Sequence, residues 1–394
     1  MSDLTERTLP IGEQGAASWA AVFSLALGVF GLVTAEFLPA SLLTPMAATM
    51  GTSEGLTGQA VTVTAGVALI SGLLASILTQ GLDRRVVLIG FTVLLVISNL
   101  LVVFAPGLTV LLLARMLLGI ALGGFWSMAT AVAMRLVPAE AVPRALSLIF
   151  SGVSVATIVA APLGSFLGGH YGWRSAFLLA AAIGAVTLAF QIVTLPRLAP
   201  TGTARPGTLV EVLWRPGIGI GMLCVVLVFG GHFALFTYIR PYLEGAAGVG
   251  LQGLSLMLLG FGLANFAGTF LAGWLIGRNL RAALILMPVL IGGGALTLAA
   301  LHGALPAQTA LVALWGMAFG GVPVAWSTWV ARSVPDEAEA AGGLVVAAVQ
   351  LAIASGAAAG GLLFDAAGVG GVFLSAGAVL LAAAGIVATR VRIA

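Results

Sequence analysis

Glu36 is a lone carboxylate within a long apolar run, Gly31-Leu-Val-Thr-Ala-Glu-Phe-Leu-Pro-Ala40. In hydrocarbon an ionised carboxylate costs about 2.5–3.5 kcal/mol on insertion scales. Two uses fit that cost: taking up and releasing a proton, or pairing with a polar ligand. The structural alternative is a carboxyl held neutral, or bonded to nearby backbone, for packing. Arg115 lies in another apolar run, followed by Gly119 and Gly123. A guanidinium cannot shed its charge, so it must meet a partner, line a water-filled cavity, or reach out to an interface. Glu36 and Arg115 are therefore the candidate proton-coupling residues, with Arg115 biasing Glu36 if the two approach each other.

Other side chains could hold a flat, polar-edged molecule. Trp126, Phe233, Phe236 and Trp326 offer aromatic faces. Gln59, Thr62, Asn265 and Gln350 offer hydrogen-bonding groups inside apolar runs. The same set would serve an amphipathic drug, and the tryptophans could equally pack. Trp19, Trp173 and Trp214 are placed as interfacial belt residues. His170, His232 and His302 are too scattered for a metal site, and His232 reads as a neutral histidine bonded within a helix bundle. Arg240 and Glu244 are spaced to pair. No nucleophile with a base and no Lys-containing phosphate loop is present, which argues against an enzyme, a cofactor, a metal and ATP as energy source. Gly81-Leu-Asp-Arg-Arg85 puts Asp83, Arg84 and Arg85 in one turn, where charge pairs and helix-dipole contacts can lock helix ends. Pro162 and Gly164, in a run rich in small residues, can hinge a helix or let it pack closely.

The elements that must position these residues follow from composition. Hydrophobic residues make up 60% and charged residues only 7% of the 394, with mean hydropathy +1.17. A soluble domain carries about 25% charged residues. About twelve runs are long enough for a bilayer, which needs about 20 residues each: 18–43, 56–79, 86–104, 108–134, 145–168, 173–195, 218–239, 251–276, 282–301, 308–331, 342–364 and 371–390. The expected fold is an all-α integral membrane protein of twelve helices in two six-helix bundles. The polar first 17 residues, lacking a short apolar core with a cleavage site, read as a tail and not a removable signal. Cys224 is the only cysteine, so no disulfide forms within the chain. All 16 basic residues are arginines. With the N-terminus inside, thirteen of them fall in inner loops and tails against Arg174 and Arg240 outside, the bias expected of a cytoplasmic face. They are scattered and form no nucleic-acid patch.

The stretch 196–216 holds Pro196, Pro200, Pro206 and Pro216 and reads as a cytoplasmic linker. It separates an N-terminal bundle, 18–195, from a C-terminal bundle, 217–390, with cytoplasmic tails 1–17 and 391–394. Gly123-Gly124, Arg135, Val137-Pro138, Glu140 and Gly164 recur as Gly320-Gly321, Arg332, Val334-Pro335, Glu337 and Gly361, at a constant offset of 197. Such a duplication marks transporter folds, with the ligand site between the halves near mid-membrane.

These features resemble the major facilitator superfamily, in its drug:proton antiporter branch with twelve spans. The Asp-Arg-Arg turn, the span-four arginine with trailing glycines and the proline-containing span five carry the likeness. The usual loop continues with a second Gly-Arg-Arg/Lys element, whereas Val86-Val87 follows here. Within the branch, the chain is similar to bacterial exporters of purine ribonucleosides through nearly its whole length. The residues are Glu36-Phe-Leu-Pro-Ala-Ser-Leu-Leu-Thr-Pro-Met46, Gly58-Gln-Ala-Val-Thr-Val-Thr-Ala65, Leu122-Gly-Gly-Phe-Trp126 and Met134-Arg-Leu-Val-Pro138. Ala160-Ala-Pro-Leu-Gly-Ser-Phe-Leu-Gly-Gly169, Phe236-Thr-Tyr-Ile-Arg-Pro241 and Trp326-Ser-Thr-Trp329 continue the likeness. Thr-Tyr-Ile-Arg-Pro also resembles sugar exporters. The resemblance implies proton-driven export of inosine, adenosine, guanosine and purine analogues. The expected setting is the inner membrane, with cargo, protons and lipid as partners; the sequence does not fix the oligomeric state, for which a monomer is the expectation. The alternatives are a multidrug or sugar antiporter and, in another class, a passive facilitator or a receptor.

Overall fold

The computed structural model describes residues 18–200, 211–301 and 304–391. The 1–17 tail with Arg7, the middle of the linker with Arg205 and Pro206, His302 and Arg392 lie outside the described residues. Segments apolar on every side must satisfy their backbone internally, and in hydrocarbon a helix does so within one segment. The first six are α1 (Trp19–Met50), α2 (Glu54–Leu78), α3 (Arg84–Val103), α4 (Leu108–Leu136), α5 (Val142–His170) and α6 (Trp173–Thr194). Then come α7 (Ile218–Thr237), α8 (Leu251–Arg278), α9 (Leu280–Ala300) and α10 (Leu305–Ser333). No strand occurs among the described residues.

The last helical run, Ala338–Arg390, has 53 residues, about 80 Å of helix at 1.5 Å per residue and far more than one crossing. It breaks at Gly368, where φ is 67° and ψ −175°, a conformation open mainly to glycine. Its limbs are α11 (338–367) and α12 (369–390). Gly230 of α7 packs against Gly356 while its neighbour Gly231 packs against Leu380. The two limbs therefore reach one height on α7 and fold back on each other. With that reversal the described helices make the twelve expected crossings.

The end at which α1 finishes and α2 begins is here termed distal, the opposite end proximal. α1 runs to Met50, past the expected 43, with Pro39 and Pro45 both inside it. A proline normally stops or kinks a helix because it removes a bond to the carbonyl four residues back. Both freed carbonyls in α1 receive an arginine instead, as described below.

The duplication seen in the sequence is a duplication of contacts. A Cβ on Gly123 of α4 would overlap the Ala68 carbonyl of α2, and one on Gly320 of α10 the Asn265 carbonyl of α8. Gly119 meets the Thr64 carbonyl as Gly316 meets that of Phe261. All four pairs keep the offset of 197. The helices thus form two related bundles, α1–α6 and α7–α12. The bundles meet where α2 lies along α11 and α5 along α8. Gly361 of α11 closes on the Gly55 carbonyl of α2, and Gly262 of α8 on the backbone of Ile158 in α5.

Hydrogen bonds between the bundles gather at the distal end. Ser53 donates to Asp365 at 3.0 Å, Ser255 to Ser165 at 3.2 Å, Tyr238 to the Gly55 carbonyl at 3.5 Å and Arg240 to the Ser41 carbonyl at 2.5 Å.

Candidate functional site

The site is organised around the first break in α1. In an α-helix the Ala35 carbonyl would accept from the N–H of residue 39, and Pro39 has none. Arg115 of α4 takes that place, its Nη1 donating to Ala35 O at 2.8 Å. Its Nη2 reaches Glu36 O at 3.4 Å, and its Nε donates to Thr64 Oγ1 of α2 at 2.9 Å. Arg115 is fully buried, so it does not reach for an interface. It holds three helices of the first bundle at one level.

Glu36 is buried at 7% exposure. Arg115 binds the main chain of Glu36, and no ion pair joins the guanidinium to its carboxylate among the described residues. The carboxyl Oε1 is buried without a hydrogen-bond partner. A buried, unmatched acceptor is costly, and it can be satisfied by a proton or by a donor brought by a ligand.

Beside it, Phe37 is the link from the first bundle to an aromatic cluster in the second. Its ring lies 5.7 Å from Phe236 and 6.2 Å from Phe233, both on α7. Phe236 continues to Phe261 of α8 at 5.5 Å and to His232 at 5.7 Å. His232 stacks parallel on Phe319 of α10. The indole N–H of Trp315 donates to His232 Nδ1 at 3.0 Å, which assigns the imidazole hydrogen to Nε2. His232 is thus a hydrogen-bonded bundle histidine, as read from sequence.

The remaining candidates are spread more widely. Gln59 of α2 is half-buried, 3.4 Å from the Gly55 carbonyl and against Gly361 of α11. Thr62 Oγ1 and Gln350 Oε1 are buried without partners, like Glu36 Oε1. Asn265 is half-buried on α8. Trp126 stacks on Phe150 at 5.6 Å within the first bundle. Trp326 is buried and meets Trp329 edge-on at 5.4 Å. Of the belt candidates, Trp214 is exposed, whereas Trp173 is buried edge-on to Phe177. Arg240 and Glu244 do pair, at 2.7 Å.

The Asp-Arg-Arg turn is tied to its own bundle and to the start of the linker at Leu198. Asp83 caps α3 by accepting from the Arg85 N–H at 2.8 Å and also accepts from the Leu198 N–H at 3.0 Å. Burial raises the pKa of its carboxyl, but those amide bonds, with Arg197 and Arg85 nearby, outweigh it and hold the pKa below the usual value. Arg84 donates to the Thr79 carbonyl at 3.1 Å and Arg85 to that of Ile192 in α6 at 2.6 Å. The second bundle repeats the device: Asn279 caps α9 through the Ala282 N–H at 2.9 Å, and Arg281 donates to Ala388 O of α12 at 2.6 Å. The sequence reading missed this pair, because its offset is 196 and not 197. Pro162 lies inside α5, and Gly164 lets α5 close on Ser41 and Leu38 of α1.

The Major Facilitator Superfamily family model matches residues 25–357. The chain belongs to the major facilitator superfamily. Relatives include the purine ribonucleoside efflux pumps NepI of Salmonella paratyphi C, Salmonella typhimurium and Salmonella enteritidis PT4. Each is 46% identical over 376 residues, covering 95% of both chains. In this superfamily member, sequence reasoning did not pick out Phe37, Phe261, Trp315 and Phe319. Phe37 carried a signal, since it follows Glu36 directly. The others face His232 only through the packing of α7, α8 and α10.

Proposed function

We propose that this protein exports purine ribonucleosides, inosine, adenosine and guanosine among them, in exchange for protons. The observation that carries the reading is the unpartnered carboxyl of Glu36, one residue from the Phe37 that meets the aromatic cluster. Near full-length identity to pumps named for that cargo supports it. The base stacks among Phe37, Phe233 and Phe236, while Gln59, Thr62, Asn265 and Gln350 supply donors and acceptors to its edge and ribose. Trp126 and Trp326 serve as aromatic walls. Glu36 binds the proton and Arg115 fixes the segment that carries it.

The bundles 18–195 and 217–390 rock about the site, joined by the linker 196–216. The tails and linker lie in the cytoplasm, the protein in the inner membrane, and the monomer is the working unit. The distal bonds then make this the inward-facing state. Asp83, Arg84 and Arg85 brace the proximal end of the first bundle, and Pro162 and Gly164 shape α5 against α1, so that this half moves as a unit. The test is uptake of labelled inosine by inverted vesicles under an imposed pH gradient, with drugs, sugars and nucleosides as competitors. Accumulation that ignores the gradient, or competition by drugs or sugars alone, sinks the reading.

A further inference from the structure

α1 has a second break. Pro45 removes the N–H that would bond the Ser41 carbonyl, and Arg240 Nη1 donates to that carbonyl from the other bundle. We propose that Arg240 is the positioning residue that holds the distal ends of the two halves together, by seating its guanidinium in the backbone break made by Pro45. The proposal rests on the transporter reading, because only a transporter must shut and reopen this end.

The chemistry is that of Arg115 at Pro39, with one difference of placement. Arg115 binds α1 from α4, inside one bundle, so rocking leaves that bond intact. Arg240 binds α1 from the end of α7, where the short helix Ile239–Pro241 passes into a π-turn over Tyr242–Ala246. That bond must break when the distal ends part. Arg240 is only 5% exposed, and a buried guanidinium left alone is expensive. Its Nε and Nη2 meet Glu244 Oε1 at 2.9 and 2.7 Å. Glu244 belongs to the same π-turn, so the ion pair travels with Arg240 and keeps the charge matched when α1 withdraws. The bond to α1 is then neutral at its acceptor and separable, which suits a latch. Ser41 is further fixed by Gly164 of α5, which packs on its hydroxyl.

The test uses the full chain in lipid with Cys224→Ala, and spin labels at Tyr171 and Leu305, exposed residues at the distal ends of the two bundles. Arg240→Gln replaces the charged donor by a shorter, neutral one. Pro45→Ala gives the Ser41 carbonyl an N–H of its own helix and leaves every α7 side chain in place. Each is expected to move the ratio of closed to open distal ends toward open by about 10- to 150-fold, the range implied by losing one hydrogen bond to a charged group. The double variant should go no further than either single one. An unchanged distance, additive shifts, or a shift from Arg240→Gln without one from Pro45→Ala would overturn the proposal. Should Arg240→Gln fail to fold, Pro45→Ala alone decides. Inosine uptake is measured on the unlabelled parent: its absence sinks the cargo reading and leaves the distance result standing.

Discussion

Arg115 donates to the carbonyl of Ala35, the one carbonyl that Pro39 deprives of its helical bond. The helix break and its repair thus come from different helices, and each makes sense only with the other. Replacing Arg115 by Met should leave that carbonyl buried and unmatched, at about 1–3 kcal/mol. The loss should appear as a lower unfolding temperature in detergent. Pro39→Ala should recover part of it, because an alanine at that position supplies the missing N–H; no recovery would mean that the guanidinium acts elsewhere.

Glu36→Gln keeps shape and polarity but cannot carry a proton. A gradient of one pH unit is worth about 1.4 kcal/mol, or tenfold accumulation per coupled proton. The parent should reach that ratio for inosine in inverted vesicles, whereas Glu36→Gln should only equilibrate cargo. Exchange of inosine across a membrane without a gradient should survive the change.

Phe37→Ala and Phe236→Ala each remove a stacking face. The expected loss of apparent inosine affinity is about 5- to 150-fold, from about 1–3 kcal/mol per stacked base. Competition with unlabelled nucleoside in proteoliposomes measures it. Equal losses for a non-aromatic cargo would show that the variants had damaged packing and not recognition.

Gly123→Ala and Gly320→Ala should behave as twins. In each case the new methyl group meets a backbone carbonyl of the neighbouring helix, so two helices must part at a cost of about 1–3 kcal/mol. Gly66, whose Cβ would meet nothing within 4 Å, provides the control. Thermal unfolding of the three alanine variants should separate the pair from the control.

Asp83 predicts a dependence on acid. Its folded-state pKa lies below the usual carboxylate value, so the bonds to Arg85 and Leu198 are at full strength above that usual value. They weaken as the pH falls through the lowered one. The protection of the Leu198 and Arg85 amides against hydrogen exchange, taken relative to the intrinsic rate at each pH, should fall there, and in Asp83→Asn that fall should vanish.

Most of the architecture was legible in the sequence because hydrocarbon permits few solutions. The apolar runs gave the crossings, and the offset between Gly123 and Gly320 gave the two bundles. Two prolines blurred the end of α1, since proline usually stops a helix and nothing local shows that Arg115 and Arg240 repair it. The site was half legible. Glu36, Phe233 and Phe236 stood out by residue type, whereas Phe319 and Trp315 join them only through contacts among α7, α8 and α10. The paired caps at Asp83 and Asn279 were hidden by a single residue of slippage in the repeat.

The reversal at Gly368 joins α11 to α12 through a single non-helical residue, with no loop between the two limbs. Topology reporters placed at that turn should disrupt the protein and not report on it. The turn also brings both limbs onto one stretch of α7, where Gly230 meets Gly356 and Gly231 meets Leu380.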